Sequence, residues 1–244
     1  MKSNDRIIRA KVHLQKETPF FAYLVMNLKI KEDDKATQTM GVDSFGNLYY
    51  NTKWVSKLTD GEIKGVLSHE VLHLALEHLI RGKDKEHEIY NIASDLCINY
   101  ILNNNNFQLP NGKGGKALIP DCYNEFDFGN NLIIKDIDKK SADEIYNEIM
   151  NSGHIKKVKI FNGFDKHIYG NGKDKGGKSK SKNEIRQNKK KWNRVFSEAS
   201  IYAKQQGKLP AGIDRLVDII LNEKISWKSL LYKYITRELP YDYT

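Results

Sequence analysis

Cysteine is nearly absent: the 244 residues hold two, Cys97 and Cys122, too few for a disulfide-framework domain. Long apolar runs are missing too. The longest, Phe20 to Met26, falls far short of the roughly 20 residues that a membrane helix needs. The opening Met1-Lys2-Ser3-Asn4-Asp5-Arg6 lacks the apolar stretch of a signal peptide. A secreted, disulfide-rich or membrane-spanning protein is therefore not expected, and a cytoplasmic location is. What is present suffices for one sizeable core: 39% hydrophobic and 10% aromatic residues, in a chain of net charge +9.

Periodicity places helices at residues 5–16 and 20–26, the second with Pro19 in its first turn. Alternation at Leu28 to Lys31, then Thr37 to Val42 and Leu48 to Tyr50, predicts a small antiparallel sheet. Thr59, with Glu62 three residues on, has capping-box spacing and starts a helix that is expected to run to Arg81 and stop at Gly82. It is apolar on most sides, the mark of a buried central helix. Tyr90 to Leu102 reads as a second buried helix, and Ser141 caps a short one to Met150. Residues 107–140 are loop-rich. Between Asp165 and Trp192, ten Lys/Arg stand against three Asp/Glu, with four glycines interspersed. That composition predicts a solvated flexible insertion. With only Tyr169 and Trp192 as aromatics, it offers no stacking platform for nucleic acid, and a nucleic-acid partner is not expected. Helical stretches follow at 192–206, 213–221 and 227–237. The expected organisation is a metal-binding domain over 1–155, a basic loop over 156–191 and a helical appendage over 192–244.

The central helix carries His69-Glu70-Val71-Leu72-His73. At about 100° per residue, His69 and His73 lie one turn apart on one face, where two imidazoles can chelate one zinc ion. Glu70 beside them can hold a metal-bound water and take its proton during attack on a carbonyl. With seven histidines and fourteen glutamates the pattern is expected by chance about 0.01 times in such a chain, so it is read as a signal and not as two hydrogen-bonded core histidines.

A catalytic zinc site commonly takes three protein ligands. His78, nine residues after His69, falls about 180° round a continuous helix and faces away unless the helix breaks. His87 lies in a charged loop. Asp95 is better placed, on an apolar helix with Asn91 and Asn99 one turn to either side; its alternative role is to support a histidine from behind. Cys97, about 200° round from Asp95, reads as a packed small residue, and Tyr100 and Tyr169 are weak candidates for oxyanion stabilisation.

These residues resemble a known family. The run Leu58-Thr59-Asp60-Gly61-Glu62, Val66 to His73, His78, Arg81, Asn91-Ile92-Ala93-Ser94-Asp95 and Asn99 is similar to the metallopeptidase domain that precedes a von Willebrand factor A-like domain in bacterial and phage proteins. Weaker likenesses lie at Thr18 to Phe20, Ser141 to Ile149, Gly207 to Gly212 and Ile225 to Trp227. The resemblance implies an α+β, zincin-like fold, mainly helical with a small, mostly antiparallel sheet. It implies zinc on His69, His73 and Asp95, with Glu70 as general base, and zinc-dependent hydrolysis of peptide bonds. The family's Asp-Asp-His segment corresponds to Asp165-Lys166-His167, one acidic position short, and would give His167 a role towards substrate or metal. Implied partners are a peptide or protein substrate, a von Willebrand factor A-like domain and a MoxR-type AAA ATPase. The alternatives are a latent metal-binding assembly module and a nucleic-acid factor acting through the basic loop.

Overall fold

The computed structural model describes residues 2–112, 115–129, 131–161, 163–164 and 181–215. Among them the fold is mixed α/β and mostly helical, with small sheets. In chain order the helices are α1 (Ser3–Glu17), α2 (Pro19–Met26), α3 (Thr52–Val55), α4 (Asp60–Ala75), α5 (His78–Arg81), α6 (His87–Asn104), α7 (Ala142–Asn151), α8 (Ile155–Val158) and α9 (Lys182–Gln205). The strands are β1 (Lys29–Glu32), β2 (Met40–Val42), β3 (Asn47–Tyr50), β4 (Asn111–Gly112), β5 (Gly115–Lys116), β6 (Phe126–Asp127) and β7 (Ile133–Ile134). No helix among the described residues is long and apolar enough to cross a membrane.

Local chemistry explains the element ends. Thr59 and Glu62 form the expected reciprocal capping box at the start of α4, and Ser141 and Glu144 do the same for α7. Pro19 sits at the first turn of α2, where its missing N–H costs nothing. The first sheet departs from the expected antiparallel form. Its order is β1-β3-β2: β2 pairs antiparallel with β3, but β1 pairs parallel with it, Ile30 opposite Leu48. The segment after β1 crosses the end of β3, where Asp33 N–H donates to the Tyr50 carbonyl, and puts β2 on the far side. The other two pairs, β4 with β5 and β6 with β7, are antiparallel.

Two apolar clusters share α6 as a wall. The larger joins α1, α2, the sheet, α4 and α9 with Ile98, Ile101 and Leu102 of α6. The smaller packs Ile89 to Cys97 of α6 against residues 118–158. A helix buried on both sides must be apolar nearly all round, which is why polar side chains on α6 stand out. The helix α9 begins at Lys182, ten residues before the expected start at Trp192. Ser181 and Glu184 cap it, and Phe196 meets Phe20 of α2 edge-on at 5.5 Å. So residues 182–191, expected as loop, are helical. Of the helix expected at 213–221, residues 213–215 are described and are helical; the rest of it and the stretch expected at 227–237 lie outside the described residues.

Candidate metal centre

The helices α4 and α6 pack together and bring His69, His73 and Asp95 to one point. Nε2 of His69 and Nε2 of His73 are 3.0 Å apart, and Oδ1 of Asp95 lies 3.6 Å from the first and 3.4 Å from the second. A tetrahedral ion with ligand bonds of about 2.0–2.1 Å has ligand–ligand edges of about 3.3–3.4 Å. The three atoms therefore stand close to the spacing that one zinc-sized ion requires, and two imidazoles with one carboxylate are a suitable donor set.

The hydrogen bonds behind His69 fix its tautomer. Nδ2 of Asn99 donates to the Leu118 carbonyl at 2.9 Å, which can only accept, so the amide oxygen must face His69. That oxygen accepts from His69 Nδ1 at 2.8 Å, which leaves the Nε2 lone pair aimed into the cluster. On the other side, Asn91 Nδ2 approaches Oδ2 of Asp95 at 3.5 Å, and Oδ1 of Asp95 is the atom nearest the histidines.

The expected unbroken helix to Arg81 does not form. The helix α4 ends at Ala75, Glu77 takes a left-handed conformation with φ 59°, and α5 starts anew at His78. With the helix broken, the stated condition for His78 to turn inward is met: its Nδ1 lies 3.3 Å from Nδ1 of His73. His87 is the exposed first residue of α6, so it too departs from the expected loop and stays away from the cluster.

Burial is nearly complete. His69, Glu70 and His73 are 0% exposed and Asp95 is 1% exposed. The Phe164 ring lies over His69, centroids 4.8 Å apart, and stacks on Trp54 at 6.4 Å. A cavity of about 420 Å³ is lined by His78, Glu77, Tyr100 and Asn193, among others, and not by the three ligand candidates. Of its lining residues, His78 touches a ligand candidate, His73. Tyr100 lines this cavity. Cys97 behaves as the small packed residue expected, and burial pushes its thiol up to about 12. His167 and Tyr169, together with most of the basic glycine-rich stretch, lie outside the described residues.

The sequence reading named His78 and Asn99 but not their places behind His73 and His69, and it missed Phe164 over His69. Asn99 carried a signal, since a buried amide on an apolar helix has to be satisfied by something. Nothing near Glu77 signals the break that turns His78 inward.

A family model described as "Putative metallopeptidase domain" matches residues 2–243. The chain belongs to this family. The family description suggests a hydrolase acting on protein. Among curated proteins, an uncharacterized protein of Thermotoga maritima is 28% identical over 107 residues, which are 42% of this chain. The match spans 27% of that relative's length, about a quarter. No solved structure matches.

Proposed function

We propose that the chain is a zinc-dependent metallopeptidase, with His69, His73 and Asp95 as metal ligands and Glu70 as general base. The observation that carries this reading is the convergence of three ligand atoms, two from α4 and one from α6, beside Glu70, which directly follows His69 on α4. Zinc bound there supplies Lewis acidity, polarising the scissile carbonyl and lowering the pKa of water to about 7. Asn99 holds the Nδ1 proton of His69, so that the ring offers its Nε2 lone pair. Asp95 brings the one negative charge of the ligand set, and Asn91 steadies its other oxygen. Glu70 takes the proton of the attacking water and returns it to the leaving amine. Phe164 and Trp54 keep bulk water from the His69 side. The fold this reading expects is zincin-like. The expected partners are a peptide or protein substrate, with a von Willebrand factor A-like domain and a MoxR-type ATPase as assembly partners.

The burial of all four residues favours a second reading, in which the bound metal serves assembly and catalysis is latent. One substitution separates the two. Glu70→Gln keeps the ligands and removes the base. On the first reading it retains about one zinc per chain, measured by elemental analysis, and loses peptide hydrolysis by a factor of about 10²–10⁴. A wild-type chain that binds zinc but cleaves no peptide from a broad library supports the second. A wild-type chain that takes up no zinc overturns both.

A further inference from the structure

His78 is 3% exposed and stands on the opposite side of His73 from the ligand cluster. The two rings meet edge to face, with centroids 5.3 Å apart and an interplanar angle of 73°. Their Nδ1 atoms are 3.3 Å apart, so one of them donates to the other. This contact exists only because the helix breaks. On a continuous helix His78, five residues after His73, would sit about 140° round from it. Glu77 makes the turn in a left-handed conformation that glutamate rarely adopts, and its carboxylate is ion-paired with Lys189 of α9. The fold therefore holds an unfavourable backbone conformation in place with a tie from a distant helix, and the result is His78 against His73.

We propose that His78 is a positioning residue for the metal ligand His73. Its Nδ1 accepts the Nδ1 proton of His73, which obliges His73 to present its Nε2 lone pair beside those of His69 and Asp95. Asn99 does the same for His69, so each imidazole of the pair is backed by its own acceptor. The inference rests on the metal-centre reading above and adds the residue that sets the second histidine. It also assigns α9 a part in the centre, since Lys189 steadies the break at Glu77.

The test uses the full chain and two substitutions. His78→Phe keeps a ring of similar size and removes the acceptor. His78→Asn places an amide oxygen near the position of Nδ1 and restores it. Zinc affinity is measured by chelator competition, and the geometry of the site by the visible absorption of the cobalt-substituted protein. His78→Phe is expected to weaken zinc about 10- to 100-fold and to change the cobalt spectrum, while His78→Asn returns to within about threefold of wild type with the wild-type spectrum. Circular dichroism of the metal-free forms identifies a variant that has simply unfolded; should His78→Phe do so, His78→Leu takes its place. Unchanged affinity and spectrum in the variant without an acceptor overturn the inference and leave the metal centre standing. So does an equal loss in His78→Asn, which marks His78 as packing alone. A wild type that takes up neither zinc nor cobalt removes the metal centre, and the inference with it.

Discussion

Asn99 accepts from Nδ1 of His69 at 2.8 Å while its own amide donates to the Leu118 carbonyl at 2.9 Å. The two bonds depend on each other, because the carbonyl fixes which way the amide points. Substitution divides them. Asn99→Leu removes both and strands a buried donor and a buried acceptor, for a loss of about 1–3 kcal/mol in stability and about 10- to 100-fold in zinc affinity. Asn99→Asp keeps an acceptor for His69 and loses the donor to Leu118, so it is expected to hold zinc much better than Asn99→Leu while remaining less stable than wild type. Chelator competition and urea midpoints read the two effects separately. Equal zinc affinities in the two variants would show that the His69 bond does not orient the ring.

The break at Glu77 gives different predictions for two substitutions at one position. Glycine adopts φ 59° without strain, so Glu77→Gly trades the ion pair with Lys189 for relief of the backbone and should change stability little. A β-branched side chain has no such freedom. Glu77→Val loses the ion pair as well and adds β-branched crowding to a conformation that glutamate already holds at a cost, so it is expected to be less stable than Glu77→Gly and to loosen zinc as His78 moves. Urea unfolding of the two variants beside wild type checks the order.

What the sequence disclosed and what it withheld divides along range of interaction. The capping boxes at Thr59 and Ser141, Pro19 at the head of α2 and the His69–His73 spacing are local, each set by residues within one helical turn. Asp95 was legible for a related reason: a carboxylate on an apolar helix needs a partner, and a histidine pair on a neighbouring helix is one. The parallel pairing of β1 with β3 was not legible, because it depends on where the segment after β1 crosses the sheet. Nor was the inward turn of His78, which rests on a tie between Glu77 and a residue 112 positions later in the chain. The early start of α9 was a different failure. Ser181 and Glu184 spell a capping box, but the lysines around them read as solvated loop.

At the other end of α4, Arg6 holds the entry to the helix. Its guanidinium donates to Oδ1 of Asp60 at 3.0 Å and 2.8 Å, to the Leu58 carbonyl at 2.6 Å and to the Val55 carbonyl at 3.0 Å. The hydrogen bonds from Arg6, with the charges of Arg6 and Arg9, hold the Asp60 carboxyl below its ordinary value. A carboxylate depressed in the folded state contributes stability above its unfolded pKa of about 3.9, and that contribution is lost as pH falls through the folded value. Asp60 is half exposed, so solvent screening limits the pair to less than about 1 kcal/mol. Asp60→Asn should therefore be slightly less stable than wild type, by a constant amount from pH 7 down to about 4.5, with the gap closing below about pH 4. Arg6→Met should cost more at every pH, because two carbonyls lose their donor as well. Urea midpoints across that range test both.

Gly65 sits inside α4, one turn before His69, where replacement by alanine would ordinarily favour a helix by up to about 1 kcal/mol. Here the sign reverses. A Cβ on Gly65 would stand 2.0 Å from the Gln108 carbonyl oxygen and 3.3 Å from a methyl of Leu109. The first is backbone, so either the strand of chain at 108–109 or the helix itself must shift. Gly65→Ala is expected to lose about 1–3 kcal/mol, as overpacking does elsewhere, and to weaken zinc because the displaced turn carries His69. Gly61 supplies the control. A Cβ there also meets Gln108, but at the end of its side chain, 1.9 Å from Oε1, which can swing aside. Gly61→Ala should accordingly be close to neutral in stability and leave zinc affinity unchanged. Should the two variants lose stability and zinc equally, the close approach of the Gln108 backbone is not what keeps residue 65 a glycine.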